Sequence, residues 1–319
     1  MRLAIALLLW LLIASNAVAQ ERDDFFILLP FGYDFLQIGE QNVHRPAAGI
    51  GFLSGDMDEP FDKVERRFFA LALYQPLLFR EEPLPGLPNH FHRIDAIFDG
   101  RIYRHQLLLI FRSAADKPIA GGLGTFETGI GWGYELVRRQ NISLILGAGL
   151  AVSDFGPALS LDRVWPVLPL PLIRFNVNTQ WFTSSFDFLT GPNFSFTVAP
   201  QEKIRFTADM RMDQYRTIND LIFQYTLWYR LFNESHRLGD FAGIGIGIKN
   251  DSFNFLISRN SENFELQKRS IFGIIDLSLL RIESGWIYDS NYLIDGRRIS
   301  NPGSGFYASV QGIVPVSRR

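Results

Sequence analysis

The sequence predicts an all-β chain, a closed antiparallel transmembrane β-barrel of about 12 strands, in the range of roughly 10–14. Three observations carry that expectation: an export signal at the start, a period-two alternation of apolar and polar residues through the rest, and aromatic residues gathered near the ends of the alternating segments. Composition narrows the field first. The 319 residues are 47% hydrophobic and 14% aromatic, with 29 Phe and no Cys. Absence of Cys removes disulfide staples, thiolate metal sites and a Cys nucleophile. Apolar content this high excludes a disordered chain. Lys+Arg at 31 against Asp+Glu at 33 leaves a net charge of −2, which argues against a nucleic-acid binder.

Residues 1–19 read as a cleaved signal peptide. Arg2 supplies the positive start, Leu3 to Ala14 forms an apolar run, and Ala17-Val18-Ala19 places small residues before Gln20. Residues 20–319 then form one exported domain. Past the signal, no apolar run is long enough for a spanning helix, which needs about 20 residues. Within a bilayer only helices and closed barrels satisfy every backbone group. The export signal therefore leaves two readings, a barrel and a soluble periplasmic β-sandwich.

Alternation is cleanest over 204–213, where Ile204, Phe206, Ala208, Met210 and Met212 share one face and Arg205, Thr207, Asp209, Arg211 and Asp213 the other. Residues 173–178 set Ile173, Phe175 and Val177 against Arg174, Asn176 and Asn178, and 182–188 set four apolar or small residues against Thr183, Ser185 and Asp187. Over 221–231 the face opposite Leu221, Phe223, Tyr225, Leu227 and Tyr229 is mixed: Ile222, Gln224, Thr226, Trp228 and Arg230. Glycine alternates with apolar residues in 126–134, 142–152 and 244–248. Further strands are expected near 48–54, 66–75, 93–103, 105–113, 193–199, 253–258, 271–287 and 304–314. The 105–111 stretch also fits a short helix, and the change of phase near Leu279-Leu280 suggests a bulge. Turns are expected at 81–90, 114–118, 154–157, 191–193, Lys249-Asn250-Asp251 and Asn301-Pro302-Gly303.

A barrel is favoured over the sandwich because Tyr33, Phe35, Trp132, Tyr134, Trp165, Trp181, Trp228, Tyr229, Trp286 and Tyr288 fall near strand ends, as interfacial girdles do. At about 25 residues per strand and connection, the exported chain makes about 12 strands. The stretch LPLPLIRFNVNTQWFTSSFDFLTGPNFSF (168–196), followed by KIRFTADMRMDQY (203–215), resembles the uncharacterised outer-membrane β-barrel families of Gram-negative bacteria. The resemblance implies an outer-membrane barrel and brings no catalytic residue with it. Taken together, the sequence leads to an integral outer-membrane barrel with a structural or passive, porin-like transport role as the expectation, with outer-membrane lipid, the barrel-assembly machinery and small solutes as partners, and no nucleic acid. The last strand holds Phe306 and Tyr307, whereas the sequence ends on Arg319 and not on the aromatic residue common in such barrels.

The candidate site is a polar lumen cluster of Arg174, Arg205, Asp209, Arg211, Asp213 and Arg230. It is read either as a charge-selective constriction or, preferably, as paired charges filling a narrow interior. No catalytic residue, metal or cofactor is assigned. His90 and His92 share a strand face, yet no third ligand accompanies them. An envelope-lipid hydrolase remains the minority reading, built on Ser235-His236 or His105 with Glu127, Asp276 or Glu283 as acid.

Overall fold

A computed structural model describes residues 24–55, 66–117, 126–139, 141–153, 167–188, 192–212, 221–231, 242–259, 262–277 and 279–317. The expected signal peptide, Trp165, Asp213 and the Ser235-His236 pair lie outside these. Among the described residues the strands are β1 (Asp24–Ile38), β2 (Gln41–Gly55), β3 (Arg66–Phe79), β4 (His90–Ile102), β5 (His105–Ala115), β6 (Phe126–Arg139), β7 (Ile142–Ser153), β8 (Val167–Asn178), β9 (Phe182–Asp187), β10 (Asn193–Val198), β11 (Ile204–Met212), β12 (Leu221–Arg230), β13 (Ala242–Ile257), β14 (Glu262–Leu277), β15 (Leu280–Ile294), β16 (Arg297–Ser300) and β17 (Gly305–Ser317). Apart from β16 and β17, each pairs antiparallel with its chain neighbour, and β17 returns to β1 over Phe26–Ser317 to Ile38–Gly305. The short β16 and the longer β17 both run against β15, so they are two segments of one stave. The described ring thus has 16 staves, a closed barrel and not two stacked sheets.

Sixteen corrects the expected 12. Strand and connection together take fewer than 25 residues because several connections are minimal: 39–40, 103–104 and 295–296 have two residues each. Asp295 and Gly296 both have positive φ (48° and 76°), the geometry of a type I′ hairpin. Near Leu279 the chain reverses between β14 and β15, and the bulge in that pair lies instead between Arg269 and Ser270. The 105–111 stretch is strand, not helix. Lys249-Asn250-Asp251 is no turn but the middle of the 16-residue β13. Asn301-Pro302-Gly303 interrupts a stave without reversing it.

The outer face is an apolar belt. Ile204, the first residue of the cleanest alternating segment, is 60% exposed, and Ile246 is 66% exposed. Leu227, Ile244, Ile271 and Trp286 extend the belt around the wall. Its edges are marked by tyrosine and histidine. At one level Tyr33 Oη meets His44 Nδ1 at 2.6 Å and Tyr74 Oη meets His92 Nδ1 at 2.7 Å. At the other, His105 stacks on Trp132 and meets Tyr134 edge-on. From His92 to Ile102, beside His105, β4 advances ten residues. At about 3.3 Å per residue and about 40° of tilt this is about 25 Å, the height of a barrel's lipid-facing band.

Beyond that band the polarity of the wall inverts. In β13 the outward Ile244, Ile246 and Ile248 give way to Asn250, Ser252 and Asn254, while the inward glycines 243, 245 and 247 give way to Phe253, Phe255 and Ile257. In β14 the face opposite Phe264 and Leu266 carries Glu265, Gln267 and Arg269. Ser252 and Glu265 are buried nonetheless, and with Asn250, Gln267 and the buried Ile222 of β12 they line a cavity of about 290 Å³. The upper parts of β13 and β14 thus form a second storey whose polar face is turned toward the β12 side of the ring. The rim that carries it is opposite the one holding the described chain ends.

Placing a charge in the belt tests the belt directly. Ile246→Arg is expected to lower the unfolding free energy in lipid vesicles by about 2–4 kcal/mol, and Tyr288→Arg, at the belt edge, by less than about 1 kcal/mol. Equal, near-zero effects in a denaturant titration would place both residues in water.

Candidate functional site: the lumen

A circular ring of sixteen strands spaced about 4.8 Å apart and tilted about 40° is about 30 Å across. Staves β5 and β13 are eight apart, on opposite sides, yet their upper ends meet. Ala115 and Leu256 form a parallel bridge, Asp116 N–H donates to the Leu256 carbonyl at 3.1 Å, and Ser258 N–H donates to Asp116 Oδ1 at 2.8 Å. This clasp encloses nine staves, β13–β17 and β1–β5, in a ring small enough for side chains to fill. They do fill it. Phe91 of β4 stacks on Phe264 of β14 at 5.0 Å and lies 5.1 Å from Phe255 of β13. Phe79 meets Phe264 edge-on at 6.0 Å, and Tyr292 closes the group. Leu36, Ile38, Leu77 and Phe91 are at most 1% exposed.

A charged layer lies below the aromatic pack. Lys249 pairs with Glu283 and, at 3.3 Å, with Asp251; Lys268 pairs with Asp251 at 3.1 Å. Tyr307 Oη donates to Glu283 at 2.5 Å, and the Lys268 ammonium sits 3.9 Å from the Tyr307 ring centre. Arg45 donates to Asp34 at 2.6 Å and lies 4.7 Å from the Phe253 ring, reaching across from β2 to β13. Desolvated charges persist only with partners at this range. Sequence reasoning missed this layer. Its signal was there: two of only five Lys in the chain, 249 and 268, are drawn into it.

The arc from β4 to β8 is also occupied. Leu108, Ile145 and Leu172 pack together, and a Cβ at Gly131 or Gly133 would come within 2.9 Å of Leu172. Arg174 spans this arc, donating to Asp187 on the adjoining β9 at 2.7 Å and to Asp99 on β4, four staves away, at 3.2 Å. Nearer the lower rim, Glu135 is gripped by Arg101 and Arg138.

The expected lumen cluster is dispersed along one wall. Arg174 is the tie just described. Arg205, Asp209 and Arg211 share the inward face of β11, with Ser195 opposite Asp209 and Asn193 opposite Arg211. Asp209 lies within electrostatic reach of Arg281 on β15, and Arg205 within reach of Arg230, Asp276 and Arg281. Arg230 also donates to the Pro200 carbonyl at 2.8 Å. Below the charged layer a cavity of about 320 Å³ opens between β1–β3 and the lower ends of β14, β15 and β17, lined by Gly32, Asp34, Arg45, Ala47, Gln75 and Gln311 among others.

Among the described residues no three His, Asp or Glu converge as metal ligands. His90 and His92 share the outward face of β4, as their spacing implied, and His92 is engaged with Tyr74. Of the acids considered for a hydrolase, Asp276 is paired with Arg281 and Glu283 with Lys249. His105 faces outward among aromatic rings.

No family model and no curated protein matches the chain. Solved structures similar to it include OpdQ of Pseudomonas aeruginosa, at 9% identity and a TM-score of 0.38 over 94% of this chain and 100% of that one. The outer membrane protein opdK of the same organism gives 10% identity and a TM-score of 0.34 over 93% and 100%. A BenF-like porin from Pseudomonas fluorescens Pf-5 gives 10% and 0.26 over 93% and 99%. Similarity this low carries no weight for what this barrel does, which rests on its own lumen.

The clasp has a checkable strength. Asp116→Ala removes the charged acceptor of Ser258 N–H, a bond worth about 1.5–3 kcal/mol. Hydrogen exchange at residues 255–258 is expected to speed up accordingly, with belt amides unchanged; unaltered protection at 255–258 would mean that Asp116 does not hold β13.

Proposed function

We propose that this chain is an integral outer-membrane β-barrel through which small hydrophilic solutes pass without an energy source. One observation carries the reading: a closed ring with an apolar belt outside and charged, partly exposed residues inside. Such a ring is stable only across a bilayer, and 16 staves are enough for an aqueous channel. The expected export signal and the barrel form point to the Gram-negative outer membrane as its place. Its lipid then covers the belt, and the assembly machinery that inserts such barrels is the partner expected during biogenesis.

A structural, non-conducting role is favoured by a different observation, the clasp with its aromatic pack, which shuts half of one mouth. Conductance separates the two. Purified barrel in a planar bilayer is expected to give discrete current steps, and to migrate differently on a gel before and after boiling. Barrel that shows this heat-modifiable shift and inserts but passes no current would support the structural role and contradict passive transport.

A further inference from the structure

The lumen is not equally filled around its circumference. Between β13 and β5, by way of β1, the nine-stave ring is packed with aromatic side chains and closed by the clasp. Between β4 and β8 the interior is taken up by Leu108, Ile145 and Leu172 and crossed by the Arg174–Asp99 tie. What remains is the arc from β8 to β12. Its inward residues are small and polar, such as Thr183, Ser185, Ser195, Thr197 and Thr207, and they are half-exposed where the inward residues of the packed half are buried. Among the described residues no second clasp forms on this side. The β12–β13 ladder ends at Lys249, eight residues short of Ile257, so the upper storey does not extend over this arc. The cavity under the charged layer is blind at its upper end, because the Arg45–Asp34 pair and the aromatic pack stand above it, and two of its lining residues, Asp276 and Arg281, lie within electrostatic reach of β11.

We propose that the aqueous passage of this barrel is confined to the half-lumen lined by β8–β12, and that the opposite half is a folded core with a blind vestibule beneath it. The inference rests on the passive-transport reading for its solutes, but the position of the water does not. The wall also sets a solute class. With Arg174 and its partners Asp187 and Asp99 set aside as the tie that crosses the filled arc, its described inward charges are Arg205, Arg211 and Arg230 against Asp209, an excess of two positive charges. The charged layer of the packed half (Lys249 and Lys268 against Asp251 and Glu283) and the vestibule (Arg45 and Arg281 against Asp34 and Asp276) each balance. Small anions are therefore favoured over cations along this route and along no other.

The chain has no Cys, so single substitutions give clean probes. Three conservative positions suffice: Ser195→Cys on the proposed passage, Ala47→Cys in the vestibule and Ser270→Cys in the packed half, where the native serine is fully buried. Folded barrel is treated with a membrane-impermeant methanethiosulfonate reagent, and labelling and conductance are both recorded. Ser195→Cys is expected to react at least about tenfold faster than Ser270→Cys, as a water-filled site does relative to a packed one. Its label should cut the single-channel current by about half or more. Ala47→Cys is expected to react with little loss of current, and the reversal potential in a KCl gradient should have the sign of anion preference. Slow labelling at Ser195→Cys, block from Ala47→Cys alone, or a cation-selective potential overturns the proposal. A wild-type barrel that carries no current defeats the transport reading by itself, and the labelling rates at Ser195→Cys and Ser270→Cys then decide where the water lies.

Discussion

The meeting of β5 and β13 is the constraint from which the rest of the interior follows. A ring of sixteen staves is about 30 Å wide, too wide for side chains to fill from both sides. Here the wall closes the gap, since two staves half a circumference apart share a backbone bridge between Ala115 and Leu256. Once they touch, the nine staves on one side enclose a volume that Phe79, Phe91, Phe255, Phe264 and Tyr292 can occupy. The clasp thus converts half of a channel-sized barrel into a small barrel filled by its own side chains, set within the membrane-spanning one. The inversion of polarity along β13 and β14 is the same fact seen along the strand.

The charged layer marks the junction of the two. Lys268 is 4% exposed at its side chain, and burying an unpaired ammonium costs several kcal/mol. Asp251 on β13 and the face of Tyr307 on β17 offset that cost from two directions. Lys249 and Glu283 do the same between β13 and β15, with the Tyr307 hydroxyl as a third member. These ties are cross-wall contacts, so they fix which staves face one another as well as neutralising charge. Arg174 plays that part between β8 and β4, and Glu135 between β4 and β6 through Arg101.

How much of this was legible in the sequence depended on what each strand faces. The segment 204–213 was readable because lipid lies on one side and a polar lumen on the other, so every second residue differs sharply in polarity. Strand β1 was missed beyond its aromatics: Phe25 to Leu29 are all apolar and carry no period, because the inward face there is not polar either. The upper half of β13 was cut off at Lys249-Asn250-Asp251, which has turn composition but marks the place where polarity changes sides. The strand count fell short because turns such as Tyr103-Arg104 lack glycine and proline; Tyr103 takes a φ of 54° instead. Among the lumen residues, the inward placement of Arg174, Arg205, Asp209 and Arg211 followed from alternation alone. Their partners on β4 and β15 did not, since period two fixes a face but not which staves confront each other across the ring.

The meeting of opposite walls is most directly tested by a bond across it. Ala115→Cys with Leu256→Cys, in a chain that is otherwise free of Cys, places two thiols on bridged neighbours, within the Cα separation of less than about 7 Å that a disulfide requires. If the walls meet, mild oxidation of the folded barrel forms an intramolecular disulfide nearly quantitatively, detected by mass spectrometry of the linked peptides. If the ring is round and open, the two thiols stay about 30 Å apart and no linked peptide forms.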